Sequence, residues 1–565
     1  MAIESGGPSA VESIKVASDG LRGTLAAEVA GGGTHFSDTG RQLLKFHGAY
    51  EQDDRDERRA RKDAGEEPVY SFMLRAKLPG GVLTGQQYHV FDALAGRYGN
   101  GTLRVTTRQD FQLHGILKGD LKRTIAAVNA TLVTTLGACG DLVRNVVTCP
   151  APLRDGVRDE VVTLAERLSS HLLPATRAYH EIWLGGERIT EEDGAATLDP
   201  LYGNRYLPRK FKIGFAYPDD NCCDVHSNDL GFLTVKHGGR IDGFNVLVGG
   251  GLGATHNKPE TYPRLASPLA FVRLDQVGRV SEAVVAVHRD YGDRSNRRHA
   301  RLKYVIDDHG LPWFRERVEE HFGAPLEPAR DVPVTQIHDH LGWHQQGDGR
   351  WFCGVFVENG RIRDTPASRL RTALREIVTR VRPVVGVRLT SQQNVLLTGI
   401  AERQRGLVEQ LLGDHGVEDA GRVLPVRRWA MACPALPTCG LALAESERAL
   451  PGVLESLERE LDRLGIADSE LTVRMTGCPN GCARPYTADL AFVGRSADRY
   501  TVYVGGGMLG TRLGVVHRDL VRRDDLIAAV VPLLERYRAD RLPNERFGDY
   551  VHRTGSAAAA PGEAP

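Results

Sequence analysis

Lysine is scarce in this chain: of 72 basic residues only 11 are lysines, and none lies beyond Lys303. Long apolar runs are also missing. The longest near the C-terminus, Leu526 to Leu534, is about half the span a bilayer requires and contains Pro532, so no transmembrane helix is expected. The opening MAIESGGPSAVES has neither the basic nor the apolar region of a signal peptide. Net charge is absent, with 72 basic against 72 acidic residues. No overall field therefore favours nucleic acid or an acidic membrane, and neither is expected as a partner. Nine cysteines, an odd number spread over the chain, argue against a secreted disulfide scaffold. A cytoplasmic protein is expected.

What is present is length, glycine and repetition. The 565 residues suffice for three or four domains with real cores. The 63 glycines point to many tight turns or to backbone lying close to a ligand. Residues 1–40 read as a weakly ordered arm, 51–67 as a solvated charged helix or linker, and TGSAAAAPGEAP as a disordered tail. Between them, RVTTRQDFQLHGI at 104–116 returns as RLTSQQNVLLTGI at 388–400, with six of thirteen positions identical. FNVLVGGGLG at 244–253 returns as YTVYVGGGMLG at 500–510. Two echoes in the same order predict a pseudo-twofold A–B–A′–B′ scaffold. The copies differ in chemistry: Arg108 and His114 face Gln392 and Thr398 in the second, which predicts one asymmetric central site. Gly505, Gly507 and Gly510 fit a dinucleotide fingerprint, but the first copy does not; a tight turn or close approach to a cofactor accounts better for both.

Four cysteines lie in MACPALPTCG and MTGCPNGCARP: Cys433 and Cys439 with five residues between them, then Cys478 and Cys482 with three between. Paired thiolates on loops of an intracellular chain suggest metal or cluster ligands. Zinc remains open, although its pairs are usually two to four residues apart; an iron–sulfur cluster accepts the wider gap and the prolines Pro434 and Pro479. The remaining five (Cys139, Cys149, Cys222, Cys223, Cys353) read as small buried hydrophobes. Arg209-Lys210-Phe211-Lys212 places two rare lysines one residue apart, on one face of a strand: either an exposed basic strand end or an anion site.

TGCPNGCARP after a C-x5-C resembles the signature of the sulfite/nitrite reductases that carry sirohaem coupled to a [4Fe–4S] cluster. KFHGAYEQDDRD, MLRAKLPGGV, TTRQDFQLHG, LGACGDLVRNV, YLPRKFK and GFNVLVGGG are similar to that family in its order, from about Lys45 to about Val551. The resemblance implies an α+β, pseudo-twofold duplicated fold of two ferredoxin-like half-domains and two α/β cofactor-binding units. Its divisions would be 1–70 (arm and charged segment), 71–150 (first half-domain), 151–335 (first α/β domain), 336–425 (second half-domain), 426–553 (second α/β domain, with the cysteines) and 554–565 (tail). It implies Cys433, Cys439, Cys478 and Cys482 as cluster ligands, with Cys482 also bridging to the sirohaem iron. Arg75, Arg144, Lys210 and Lys212 would surround substrate, and Arg104, Thr106, Arg108, Gln112, His114, Arg209 and Asn480 would line sirohaem. The reaction implied is six-electron reduction of sulfite to sulfide, with nitrite reduction to ammonia as the alternative. Lys212 favours sulfite, because dedicated nitrite reductases tend to have Asn there. No reductase domain fits in the remaining chain, so electrons must come from another protein. That donor would be ferredoxin, which LGACGDLVRNV and DHLGWHQQGDGRWFCG favour, or a flavoprotein subunit using NADPH. Tyr50 and Cys139 match positions that are covalently joined in some members.

Overall fold

The computed structural model describes residues 7–176, 182–184, 187–189, 198–381 and 385–557. Four five-stranded sheets organise the chain, and they form two matching pairs.

The first pair are antiparallel half-domain sheets. One runs Ala49–Asp53, Tyr70–Arg75, Phe111–Ile116, Leu103–Val105 and then Arg361–Ile362. The other runs Gly342–Gln345, Arg350–Val355, Val395–Ala401, Gly386–Leu389 and then Val82–Leu83. Each sheet is thus completed by a two-residue strand from the opposite half of the chain, with Arg361 opposite Arg104 and Val82 opposite Arg388. The turns before these strands match: Gly81 and Gly360 both adopt positive φ, and a Cβ on either would lie 2.4 Å from a carbonyl, of Leu389 and Val105 respectively. Only glycine fits such an approach. The exchange gives the two half-domains one shared core, from Phe72, Phe91 and Phe111 to Leu374, Ile377 and Leu397. Arg371 and Arg375 of the helix Leu370–Arg380 clamp Asp92 of the helix Gly85–Arg97 across the junction.

The second pair are mixed sheets of identical topology. Val143–Val147, Phe211–Ala216 and Leu230–His237 run parallel, then Arg240–Val248 and Ser267–Val272 follow antiparallel. Met431–Ala432, Val473–Thr476, Leu490–Ser496, Arg499–Val504 and Val515–Arg522 repeat this order. Near-continuous Val, Leu, Ile and Phe on the inner strands bury both faces, as parallel strands covered by helices require. The helices Val277–Tyr291 and Leu450–Arg463 belong to the two separate cores. The apolar run Leu526–Leu534 lies in the helix Leu526–Asp540 and packs into the second core. Among the described residues no helix is long and apolar enough to cross a membrane.

The N-terminal segment differs from the expectation of a weakly ordered arm. Ala10–Val16, Leu25–Ala30 and Asp38–Leu44 are helices, and Glu12 and Lys15 are almost fully buried. Lys15 donates to the Leu207 carbonyl at 2.8 Å, and Glu12 pairs with Arg294. These partners lie about two hundred residues away or more, which composition alone cannot reveal. The charged stretch from 51 starts inside a strand and then runs exposed for most of its length to 67, through the short helix Arg58–Asp63. The tail from 558 onward lies outside the described residues.

Candidate active site

Three of the four units meet at one cavity. The first half-domain contributes Thr107 and Arg108, from the tight turn between Leu103–Val105 and Phe111–Ile116, where Gln109 takes φ 57°. The first α/β unit contributes Lys210, at the mouth of the strand Phe211–Ala216, together with Lys212, Gly253 and Arg301. The second contributes Asn480, Gly481, Cys482 and Arg484, from the loop after Val473–Thr476. The loop of the second unit lies past the carboxyl end of its parallel strand, where open α/β sheets bind ligands, while Lys210 and Lys212 stand at the amino end of theirs.

The wall is cationic and dry. Burial lowers Lys210 to about 7, and neighbouring Arg209, Arg301 and Arg144 push the same way. Burial and then Arg108, Lys210 and Arg301 hold Lys212 well below the ordinary lysine value. Arg108 falls to about 10 for the same leading reason. Its guanidinium bonds Asn228 Oδ1 at 2.8 Å and the Ile213 carbonyl at 3.0 Å, leaving Nε without a partner. The attractive charge at Lys212 is Asp229, whose carboxylate is already held by Arg301 through contacts of 2.8 to 3.0 Å. Asp229 Oδ2 also accepts the Lys212 backbone N–H at 2.9 Å and so fixes where that strand begins. Cations so desolvated favour an anion among them, which restores their charged forms.

The other expected residues form a second group beside this wall. Gln112 lies opposite Arg75 across the strand pair, and with its carboxamide turned so that the oxygen faces the guanidinium it accepts from Arg75 Nε at 3.2 Å. Arg144 Nε donates to the Gly140 carbonyl at 2.9 Å, and its Nη1 donates to the Ala138 carbonyl at 3.2 Å, with Tyr50 close enough to feel its charge. Burial raises the Tyr50 phenol, and the nearby Cys139 adds to that shift. Tyr50, Cys139, Arg75 and Arg144 are therefore one cluster. His114 is buried with both ring nitrogens unpartnered, and burial then Arg361, Arg104 and Arg75 drive its pKa well down. Arg104 is tied to Glu447 and to the Ala432 carbonyl at 2.7 Å, directly before Cys433. Thr106 Oγ1 accepts from Arg108 N and Asp110 N at 3.1 and 3.2 Å, so its role here is to shape the turn. Burial lowers the Arg209 pKa, and Asp141 opposes that shift.

The four motif cysteines come together on two loops. Burial raises Cys433, Cys439 and Cys478, and Cys482 raises each of the three further. Asn480 Nδ2 lies 3.4 Å from Cys478 Sγ, and Gly477 N donates to Cys433 Sγ at 3.3 Å. Amide donors of this kind stabilise thiolate ligands. Of the nine cysteines Cys482 alone is exposed, and its exposed side is the cationic cavity. The chemistry fits both groups under test: four convergent thiols suit a cluster, and a wall of desolvated cations with an orphaned histidine suits a polycarboxylate macrocycle.

Sequence reasoning missed Thr107, Arg301, Lys303 and Arg484. Lys303 Nζ donates to the Gly251 and Gly253 carbonyls at 3.0 and 2.8 Å and so braces the glycine loop of the wall. Its signal was the scarcity of lysine, since it is the last in the chain. The triple glycines are packing devices in both copies. A Cβ on Gly250 would meet the His226 carbonyl at 2.2 Å, and one on Gly506 the Ala488 carbonyl at 2.3 Å.

Comparison with known proteins agrees with this arrangement. The family model described as "Nitrite and sulphite reductase 4Fe-4S domain" matches residues 164–326 and 430–558. The "Nitrite/Sulfite reductase ferredoxin-like half domain" matches 65–131 and 344–415. The chain belongs to this nitrite and sulfite reductase family, and the sirohaem and [4Fe–4S] cluster expected from the resemblance are its cofactors. One relative, the NADPH sulfite reductase hemoprotein beta-component of Myxococcus xanthus, is 47% identical over 551 residues, covering 97% of this chain and 96% of that one. The counterpart from Paenibacillus sp. is 45% identical over 555 residues, with 97% and 96% covered. The ferredoxin sulfite reductase of Synechococcus elongatus is 46% identical over 564 residues, covering 97% and 89%. The solved structure of the Mycobacterium tuberculosis NirA protein matches with a TM-score of 0.79 at 26% identity, covering 97% of both chains.

Proposed function

We propose that this chain reduces sulfite to sulfide by six electrons, which reach it one at a time from reduced ferredoxin. The observation that carries this reading is the convergence of Lys210, Lys212, Arg108 and Arg301 on a cavity that also holds Cys482. Cys433, Cys439, Cys478 and Cys482 would hold the cluster, and Cys482 lines the cavity that would take the macrocycle. Arg108, Arg209, Gln112, His114 and Asn480, with Arg104 and Thr106 behind them, form the macrocycle's polar shell. Once bound, the two groups supply electron relay and the iron at which substrate is reduced.

The remaining chemistry belongs to side chains. Arg75, Arg144, Lys210 and Lys212 offset the charge of the oxyanion, and arginine forks suit its paired oxygens. Cleaving each S–O bond consumes protons. Lys210, brought by burial to about 7, is tuned to give a proton at neutral pH and regain it, and burial shifts Lys212 in the same direction. Two ammonium groups suit the larger and more highly charged sulfite better than nitrite.

The test is sulfite-dependent oxidation of a reduced viologen with sulfide measured as product. Six electrons per sulfide and a kcat/KM above that for nitrite support the reading; a large preference for nitrite overturns it. For the donor, the names of the relatives support a second reading, an NADPH-dependent flavoprotein partner. Turnover with reduced ferredoxin but not with a flavoprotein reductase supports the first.

A further inference from the structure

The duplicated mixed sheets allow the cluster loops to be mapped onto the first half of the chain. Val147 lies opposite Gly214 in one sheet, and Met431 lies opposite Arg474 in the other. Counting on from these pairs, Cys149 and Cys433 each stand two residues later, and Cys222 and Cys482 each stand eight residues later. The loops close alike, since Asp224 and Arg484 both take φ 55° before a short 3-10 turn. Two of the five cysteines read from sequence as buried hydrophobes are therefore pseudo-twofold mates of cluster cysteines.

At that mate position Cys149, Asp220, Cys222 and His340 bring one ligand atom each to within 4.8 Å of one another. Cys149 Sγ lies 2.8 Å from Asp220 Oδ2 and 3.4 Å from His340 Nε2, and His340 Nε2 lies 3.1 Å from Asp220 Oδ2. Three of the residues are fully buried, and His340 is 7% exposed. The other carboxylate oxygen, Asp220 Oδ1, accepts from Cys222 N at 3.1 Å and His338 N at 3.3 Å, which aims Oδ2 inward. Gln392 Nε2 donates to the Cys222 carbonyl at 2.7 Å, tying the loop to the second half-domain.

We propose that Cys149, Asp220, Cys222 and His340 bind one zinc ion as a closed structural site, the pseudo-twofold counterpart of the cluster. Two sulfurs, one imidazole and one carboxylate form a four-ligand set suited to zinc. Ligand atoms around tetrahedral zinc stand about 3.3 to 3.8 Å apart, so the Cys149, Asp220 and His340 atoms at 2.8 to 3.4 Å need to spread, and any pair near the 4.8 Å limit to close, by about 1 Å or less. A four-iron cube needs four thiolates, and here there are two. The charge state suits a cation: burial raises both Asp220 and the Cys149 thiol, but His340 beside them outweighs it at Asp220, which sits near 2, and neighbouring Cys222 and His340 draw Cys149 below its ordinary value. Binding displaces the proton that burial and the Cys149 thiolate keep on Cys222, and the one on His340 Nε2. Arg158 and Arg388 act on Cys149 from outside the group and oppose the ion, so affinity rests on the four ligands. The ion fastens the segment leading into Gly342–Gln345 to two loops of the first α/β unit.

The test is elemental analysis of the purified holoenzyme after incubation with zinc and removal of loosely bound metal by a chelator. About one zinc per chain is expected, lost in both Cys149→Ser and His340→Ala while iron and acid-labile sulfide stay at wild-type levels. Zinc below about a tenth of an equivalent in the wild type, or retained in both variants, overturns the proposal. Should the variants fail to fold, zinc-edge X-ray absorption on the wild type decides. Two sulfurs at about 2.3 Å and two lighter atoms at about 2.0 Å support the site, and any other shell refutes it. A Cys149–Cys222 disulfide found by peptide mapping refutes it as well.

Discussion

Asp229 acts on the site through what it holds, and removing it should cost stability and activity by separable routes. Its carboxylate makes three contacts of 2.8 to 3.0 Å with Arg301 and accepts the Lys212 N–H at 2.9 Å, all without solvent exposure at Asp229. Asp229→Ala leaves the Arg301 charge buried and unpaired, a loss of about 3 to 5 kcal/mol. It also orphans the Lys212 N–H, worth a further 1 to 3 kcal/mol or so. For a unit of this size a combined loss of about 4 to 8 kcal/mol lowers the melting temperature by on the order of 10 to 30 °C, read by differential scanning calorimetry of the holoenzyme. Asp229→Leu with Arg301→Met removes both charges and should recover most of that stability, because an apolar pair can replace a buried ion pair. It should not recover activity, since Arg301 lines the cavity and Lys212 has lost its anchor. Asp229→Asn separates the terms again: the amide oxygen keeps the Lys212 N–H, but the charge that sustains the Lys212 ammonium is gone. Its sulfite kcat/KM should fall as the Lys212 ammonium is lost. An Asp229→Ala enzyme with unchanged melting and full turnover would refute the reasoning.

Four further outcomes follow from the geometry. Lys212→Asn should cut sulfite kcat/KM by about a hundredfold or more while nitrite reduction falls much less; equal losses for both substrates would count against a substrate-selecting lysine. The Lys210 pKa is depressed to about 7, so its ammonium is present below that pH and lost as pH rises through it, with sulfite kcat/KM declining in step. Lys210→Arg stays charged and should carry the alkaline limb upward by more than one pH unit as kcat falls, whereas an unmoved limb assigns the titration elsewhere. Cys482→Ser should abolish the electronic coupling of haem and cluster seen by electron paramagnetic resonance, and normal coupling in that variant contradicts the bridging role. The Tyr50–Cys139 cluster predicts an intact mass short by two hydrogens in the wild type and not in Cys139→Ala; a full wild-type mass rules out the link.

How much of this was legible in the chain differs by feature. The repeat was readable because each copy keeps a turn with its flanking strands, Thr106 to Asp110 and Thr390 to Asn394, where Gln109 and Gln393 both take positive φ. The exchange of Val82–Leu83 and Arg361–Ile362 was not, since a two-residue strand has no periodicity to detect. The cysteine quartet announced itself by spacing. Its mate around Cys149 did not, because its four ligands are distributed over three distant loops with no repeated interval. Arg301 was invisible for a similar reason: its importance comes from Asp229, 72 residues away. The N-terminal helices were misread because small and polar residues conceal the buried pairs of Glu12 and Lys15 with partners far along the chain.

The central claim is that one polypeptide holds a sirohaem coupled to a four-iron cluster in the cavity faced by Cys482. The most direct measurement is the visible spectrum of the purified protein, taken with iron and acid-labile sulfide analysis. The account predicts a Soret band with a strong red-region band, about five iron atoms and about four sulfides per chain. Colourless protein, or broad cluster absorption alone with about four iron atoms and no red band, would contradict it.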